Sequence, residues 1–198
     1  METFEKIFGS GARVRLMKLF LLNPEEAFGR RDAAERAKVG KLQAQRELRL
    51  LERIGFLKPR SVTVERKGRK SRVPGFALNP EFPYAHAFRE LFLSVSVDRK
   101  ALARRLSRHG KVQLVVTAGV FLDSLDSRID LLVVGDDIQE RGLRGAVGAL
   151  EAEIGRQLRY AVLSTADFRY RLGMCDRLVR DILDFPHDVV LDRQGLVA

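Results

Sequence analysis

Between residues 30 and 79 the chain carries, in order, a short helical run of small residues, a turn, an amphipathic helix closed by glycine, and a β-prone hairpin with a basic tip. Few folds accept that order. Ala33, Ala34 and Ala37 in residues 30–37 allow a close helix–helix approach before the turn Lys38-Val39-Gly40, with Val39 as its apolar plug. Residues 41–53 place Ala44, Leu48 and Leu51 on one stripe, and Gly55 stands where a helix C-cap is needed. Upstream, Ser10 precedes residues 12–22, in which Val14, Met17, Phe20 and Leu21 recur at helical intervals until Asn23-Pro24 stops them.

The hairpin is predicted from two β-prone stretches, Ser61-Val62-Thr63-Val64 and residues 73–78, the second interrupted by Pro74 and Gly75. Pro74 points to an edge strand. Between the stretches lie Arg66, Lys67, Arg69, Lys70 and Arg72 around Gly68, cations suited to a phosphate backbone or a minor groove. Residues 1–83 hold 19 basic against 10 acidic residues, and the remainder 17 against 16, so nearly all of the net charge of +10 is N-terminal. One module therefore suits a polyanion and the other does not.

Helix, short turn and second helix, the latter with a free face of Lys41, Gln43, Gln45, Arg46 and Arg49, form the pattern of a helix-turn-helix. Glutamine can pair with adenine edges, and arginine with guanine edges or phosphates. With the basic hairpin added, residues 10–79 resemble the winged helix-turn-helix module of bacterial and archaeal transcription regulators. The resemblance implies that residues 41–49 face the major groove, that the Gly68 tip is the wing, and that the partner is double-stranded DNA. Aromatic residues are scarce on the basic stretches, which argues against single-strand binding.

From residue 84 the pattern changes. Phe88, Leu91, Phe92 and Val95 predict a helix, and residues 99–108 continue helically with Leu102 and Leu106 apolar and Arg104, Arg105 and Arg108 exposed. Apolar strands are expected at 112–116 and 129–134, a helix on Leu143, Val147, Leu150, Ile154 and Leu158, and a strand at 159–163. Ser164 is placed to cap a last helical region reaching Leu183, and a short strand is expected at 189–191. The alternation indicates an α/β domain, giving α+β for the whole chain. The expected division is a DNA-binding domain at 1–83, linker helices at 84–110 and an α/β domain at 111–198.

Residues 118–136, from Ala118-Gly119-Val120 through Arg128-Ile129-Asp130 to Asp136, resemble the core of minimal nucleotidyltransferases of the DNA polymerase β superfamily. That family uses a Gly-Ser turn to cradle the triphosphate and an Asp-hydrophobic-Asp pair to hold divalent metal. Here Val120 follows Gly119 in place of serine, Arg128 stands where the first carboxylate belongs, and Asp130 is left alone. Leu158 to Leu163 supplies no third acid. A cation at that position repels a metal ion. The resemblance thus implies a nucleotidyltransferase-like domain without transferase chemistry, a pseudoenzyme, in which Asp130 pairs with Arg128 or a backbone amide. Gly9-Ser10-Gly11 also mimics a Gly-Ser turn, but no acid follows in 14–23 and Ser10 is better read as a helix N-cap.

The reading favoured is a sequence-specific, DNA-binding transcription regulator whose C-terminal domain senses a ligand or mediates assembly, with no cofactor and no metal. The Gly119 turn could take a nucleotide or other phosphate ligand, and residues 84–95 could be buried between domains or pair two copies as a homodimer. The alternatives are an active nucleotidyltransferase targeted by a winged helix, with Asp123, Asp126 or Asp136 as second acid, and an RNA-binding or structural adaptor. One cysteine, Cys175, and three scattered histidines exclude a disulfide within the chain and offer no zinc-ligand spacing. The longest nearly apolar stretch, residues 112–122, contains Gln113 and Thr117 and falls well short of the roughly 20 residues a bilayer core requires. With no apolar run after Glu2 and Glu5, a cytoplasmic site is expected.

Overall fold

The computed structural model describes residues 2–66, 68–93, 98–122 and 128–197. It is a mixed α and β chain with two sheets. The chain divides into two compact units, Met1–Ser94 with Gly148–Gln157, and Val95–Val147 with Leu158–Ala198. The first unit contains α1 (Glu2–Phe8), α2 (Gly11–Leu21), β1 (Ala27–Gly29), α3 (Arg30–Arg36), α4 (Lys41–Arg53), β2 (Leu57–Arg66), β3 (Arg69–Leu78) and α5 (Ala85–Leu93).

Local chemistry sets its helix ends. The Ser10 hydroxyl accepts from the Arg13 N–H at 3.2 Å and caps α2. Helices α3 and α4 end in the same way. The Val39 N–H reaches back to the Ala34 carbonyl (2.9 Å) and the Lys38 N–H to Glu35 (3.2 Å), as Phe56 does to Leu51 (2.9 Å) and Gly55 to Glu52 (3.0 Å). The motif needs one left-handed residue, supplied after α4 by Gly55 (φ 79°) and after α3 by Lys38 (φ 49°). Only the first is free of steric cost.

The three strands pair antiparallel in the order β1-β3-β2, with Phe28 opposite Phe76 and Leu57 opposite Leu78. Phe20 of α2 meets Phe28 edge to face at 5.4 Å, and the core continues through Leu48, Leu51 and Phe56. Pro74, expected on an edge strand, lies in the central strand β3. It fits because β1 pairs only with residues 75–77, so β2 alone flanks the chain at Pro74. Gly75 does not interrupt the strand. A Cβ there would stand 2.5 Å from the Phe28 carbonyl oxygen and 2.7 Å from Val62, so glycine is what allows β1 to close on β3.

Helix α1 has no signal of its own in the sequence. It forms against α5, with Phe4 on Phe92 (5.4 Å between rings) and Phe8 on Phe88 (5.8 Å). Phe88 and Phe92 are therefore covered within the first unit, while Ile7 on α1, Leu91 on α5 and Tyr84 just before α5 are exposed; Val95 lies outside the described residues. Residues 148–157 also join this unit, for a steric reason. Gly155 adopts φ 91°, and a Cβ there would lie 2.7 Å from the backbone of Lys18. The Lys18 ammonium donates to the Glu153 carbonyl at 3.1 Å, and the Asn23 amide donates to that of Gly155 at 2.8 Å. Burial lowers the Lys18 pKa, partly offset by the Glu153 charge.

The second unit holds α6 (Arg99–Ser107), β4 (Lys111–Ala118), a 3-10 turn (Gly119–Leu122), β5 (Leu131–Asp136), α7 (Glu140–Ile154) as far as Val147, β6 (Tyr160–Leu163), α8 (Thr165–Gly173), α9 (Arg177–Leu183) and β7 (His187–Asp192). Its sheet order is β6-β5-β4-β7. Strands β5 and β6 are parallel, as the intervening α7 permits, and the other pairs are antiparallel. Leu114, Val116, Leu132 and Val134 pack on Phe168, Val179 and Ile182 of α8 and α9. The single helical region expected to Leu183 is two helices. Cys175 turns left-handed (φ 52°) after α8, and the Asp176 carboxylate caps α9 by accepting from Leu178 at 3.0 Å.

After β7 the chain is pinned by one side chain. Asp192 accepts backbone N–H bonds from Gln194 (3.2 Å), Leu196 (3.0 Å) and Val197 (3.1 Å). Burial pushes its carboxyl up, but these donors outweigh burial and hold it below the usual carboxylate range. The contribution of Asp192 to stability is then complete above the ordinary carboxylate pKa and is lost as pH falls through the lower folded value. Asp192→Asn should lower the melting temperature at pH 7 and narrow its gap to the unaltered protein at pH 3. A pH-independent gap in thermal unfolding would contradict this account.

Candidate nucleic-acid interface

Helix α4 is held to the first unit through Ala44, Leu48 and Leu51, as its periodicity predicts, and through a charge that periodicity does not reveal. Glu47 is 9% exposed, and its carboxylate accepts from the Arg13 guanidinium at 2.8 Å. Arg13 also donates to the Phe8 carbonyl at 2.7 Å, so one arginine ties α4 to the end of α1. A charge-assisted bond of low exposure fixes rotation about the helix axis better than apolar packing alone.

With that side fixed, the opposite stripe consists of Leu42, Arg46, Arg49 and Arg53, at i, i+4, i+7 and i+11. Lys41 is exposed at the helix start. Gln43 and Gln45 do not share this stripe. At about 100° per residue they lie roughly 160° apart, one on each flank, Gln43 exposed and Gln45 half-buried. Leu42 is 76% exposed in the middle of the cations. Leu42 and Arg53 fall outside the polar set of the first turns that the sequence offers, although the helical period contains both. Lys41, Arg46, Arg49 and Arg53 form no ion pair with another described residue. On α3, by contrast, Arg31 is held by Glu35 (2.6 Å) and Arg36 by Asp32 (3.2 Å). Helix α4 thus carries four cations without an ion-pair partner among the described residues.

The hairpin of β2 and β3 stays in register to its last pair, Arg66 opposite Arg69. Gly68 takes φ 75° in the turn, and Lys67 lies outside the described residues. Lys70 and Arg72 are exposed and, by strand alternation, share a sheet face with Phe76, which is the core side. Lys70 stands opposite Glu65 and Arg72 opposite Thr63, so Arg72 faces no acid across the pair.

In the second unit Gly119 (φ 55°) opens the 3-10 turn, and that turn is closed by Asp130. The Val120 N–H donates to one carboxylate oxygen at 3.1 Å; the other oxygen accepts from the Arg159 N–H at 2.8 Å and its guanidinium at 3.4 Å. Asp130 is 3% exposed. The expected pairing with a backbone amide is present, while Arg128 instead meets Asp181 at 3.3 Å. The turn N–H that would face a phosphate is engaged by an acid. Asp136, at the other end of β5, accepts from the Thr165 hydroxyl (2.7 Å) and N–H (3.1 Å), which hold its carboxyl below the usual range. By strand rise it lies on the order of 20 Å from Asp130, too far to share a metal ion. Asp123 and Asp126 lie outside the described residues. Among the described residues no group of three or more His, Cys, Asp or Glu could hold a metal, and no helix is long and apolar enough to cross a membrane.

The chain matches no family model, no characterised protein and no solved structure.

Proposed function

We propose that this chain is a sequence-specific, double-stranded DNA-binding transcription regulator of winged helix-turn-helix type. The observation that carries the reading is the stripe of unpaired cations on α4, a helix whose orientation is fixed from behind by Glu47 and Arg13. In a major groove, Arg46 and Arg49 address guanine edges and phosphates, Gln43 an adenine edge, and Leu42 a thymine methyl group. The hairpin, as wing, supplies phosphate contacts that add affinity without sequence information.

The second unit is proposed to be a non-catalytic, nucleotidyltransferase-like sensor or assembly domain. Asp130 is committed to closing the Gly119 turn, and the Arg128 guanidinium remains where a metal-binding carboxylate would be needed.

Selection from a random DNA pool with the full chain, followed by salt titration on the enriched site, tests the reading. Binding should weaken with a log–log salt slope of about −0.9 per phosphate contacted. Lys70→Ala and Arg72→Ala should each reduce that slope by about one and weaken all duplexes alike, whereas Gln43→Ala should cost roughly 1 to 3 kcal/mol on the selected site and little elsewhere. Hairpin variants that change the selected sequence would exchange these roles. A pool that yields no enriched sequence would leave only a nonspecific polyanion binder.

A further inference from the structure

The second unit contains a groove of about 370 Å³ lined by Ala103, Arg104, Ser107, Arg108, Leu191 and Arg193. Among the described residues, half of that lining is arginine and none of it is acidic. Arg104 lies on α6 and Arg108, four residues on, is its C-cap, while Arg193 comes from the loop after β7. None of the three forms an ion pair with a described residue; the Arg104 guanidinium makes only a 3.3 Å bond to the Lys100 carbonyl. The larger groove beside α3 differs in kind, because it also contains Glu26, Asp32, Glu35 and Glu65, and three of these acids pair with its own arginines.

The position of Arg193 is built in advance. Its backbone N–H donates to the Gln113 carbonyl at 2.9 Å, and the next turn is pinned by the Asp192 carboxylate. The nearby acids are already engaged, Asp192 by backbone N–H groups and Asp188 by Arg99. Three like charges held around one concavity repel one another until an anion enters. The guanidinium fork matches phosphate oxygens, and linked phosphates offer a separate charged centre to each of several forks, which a carboxylate or a lone tetrahedral anion cannot do. Among the described residues no aromatic ring lines the groove, so none of them would recognise a base by stacking.

We infer that the groove between α6 and the end of β7 binds the oligophosphate moiety of a small ligand, with Arg104, Arg108 and Arg193 as its three anchors. This site is separate from the Gly119 turn and does not rest on the DNA-binding reading. Inorganic tripolyphosphate is the probe, titrated calorimetrically into the full chain and into an Arg46→Gln/Arg49→Gln variant in which the cations of α4 are reduced. Both should bind one equivalent alike. Arg104→Gln, Arg108→Gln and Arg193→Gln, exposed positions whose folding is checked by thermal melting, should each weaken binding about tenfold or more, the loss of one charge-assisted bond. Sulfate should bind at least about tenfold more weakly than tripolyphosphate, having a single charged centre. Binding unchanged in the three groove variants, or lost in the α4 variant, overturns the assignment. So does an effect of the groove variants on duplex DNA affinity with none on tripolyphosphate, which would make the groove a DNA-backbone contact.

Discussion

Substituting glutamine for both Arg46 and Arg49 is expected to lower affinity for the selected duplex by about a hundredfold or more at fixed salt, since each base- or phosphate-contacting arginine contributes roughly 1 to 3 kcal/mol. The two lie three residues apart on the exposed stripe of α4, close enough to address neighbouring positions along a groove. Neither packs in the core or holds another described charge, so thermal stability should hardly change. The doubly substituted lysine protein separates charge from geometry. It should keep most of the salt dependence, because the charge remains, and lose discrimination between sites, because an ammonium cannot make the bidentate contact to guanine. Fluorescence anisotropy against the selected and a scrambled duplex measures both quantities. Undiminished affinity of the glutamine variant would remove α4 from the interface and the DNA-binding proposal with it.

Asp130→Ala should destabilise the second unit by roughly 1 to 3 kcal/mol for each backbone donor that it leaves without an acceptor; the Arg159 guanidinium, half exposed, returns to water. The lost carboxylate leaves the Val120 and Arg159 N–H groups without that acceptor beside the buried Gly119. Asp130→Asn retains an acceptor for one of the two amides but turns an NH₂ group toward the other, so it should cost less than alanine and more than a surface change. Urea unfolding followed by a signal from the second unit reads the difference. Equal stability of all three proteins would show that Asp130 is not structural. Incubation with labelled nucleoside triphosphate and Mg²⁺ provides the complementary test, expected to leave protein, RNA and DNA unlabelled. Metal-dependent labelling abolished by Asp130→Asn would restore the transferase reading.

Local sequence was sufficient wherever a structure closes on its own neighbours. Helix α4 occupies 41–53 as its apolar period requires, and Ser10, Gly55 and Ser164 cap or close the helices beside them. The basic hairpin turns at Gly68 because its two β-prone arms are adjacent in the chain. Each of these decisions involves residues only a few positions apart.

What only the tertiary structure decided depends on partners distant in sequence. Helix α1 is too short to stand alone and exists because Phe88 and Phe92 cover its phenylalanines. Glu47 looks like one more solvated charge until Arg13 is brought against it. Pro74 reads as an edge residue, and the central strand accepts it only because β1 stops one residue short. Residues 148–157 belong to the first unit because a glycine there meets the backbone of Lys18. Asp130 is expected to pair with Arg128 or a backbone amide, but which amides it holds, those of Val120 and Arg159, is decided by the fold, and Arg193 becomes part of a groove only when β7 ends beside α6. Periodicity and capping report the free energy of neighbours along the chain. Which buried charge is paired, and which exposed charge is left unpaired, is settled by residues that meet only when the chain folds.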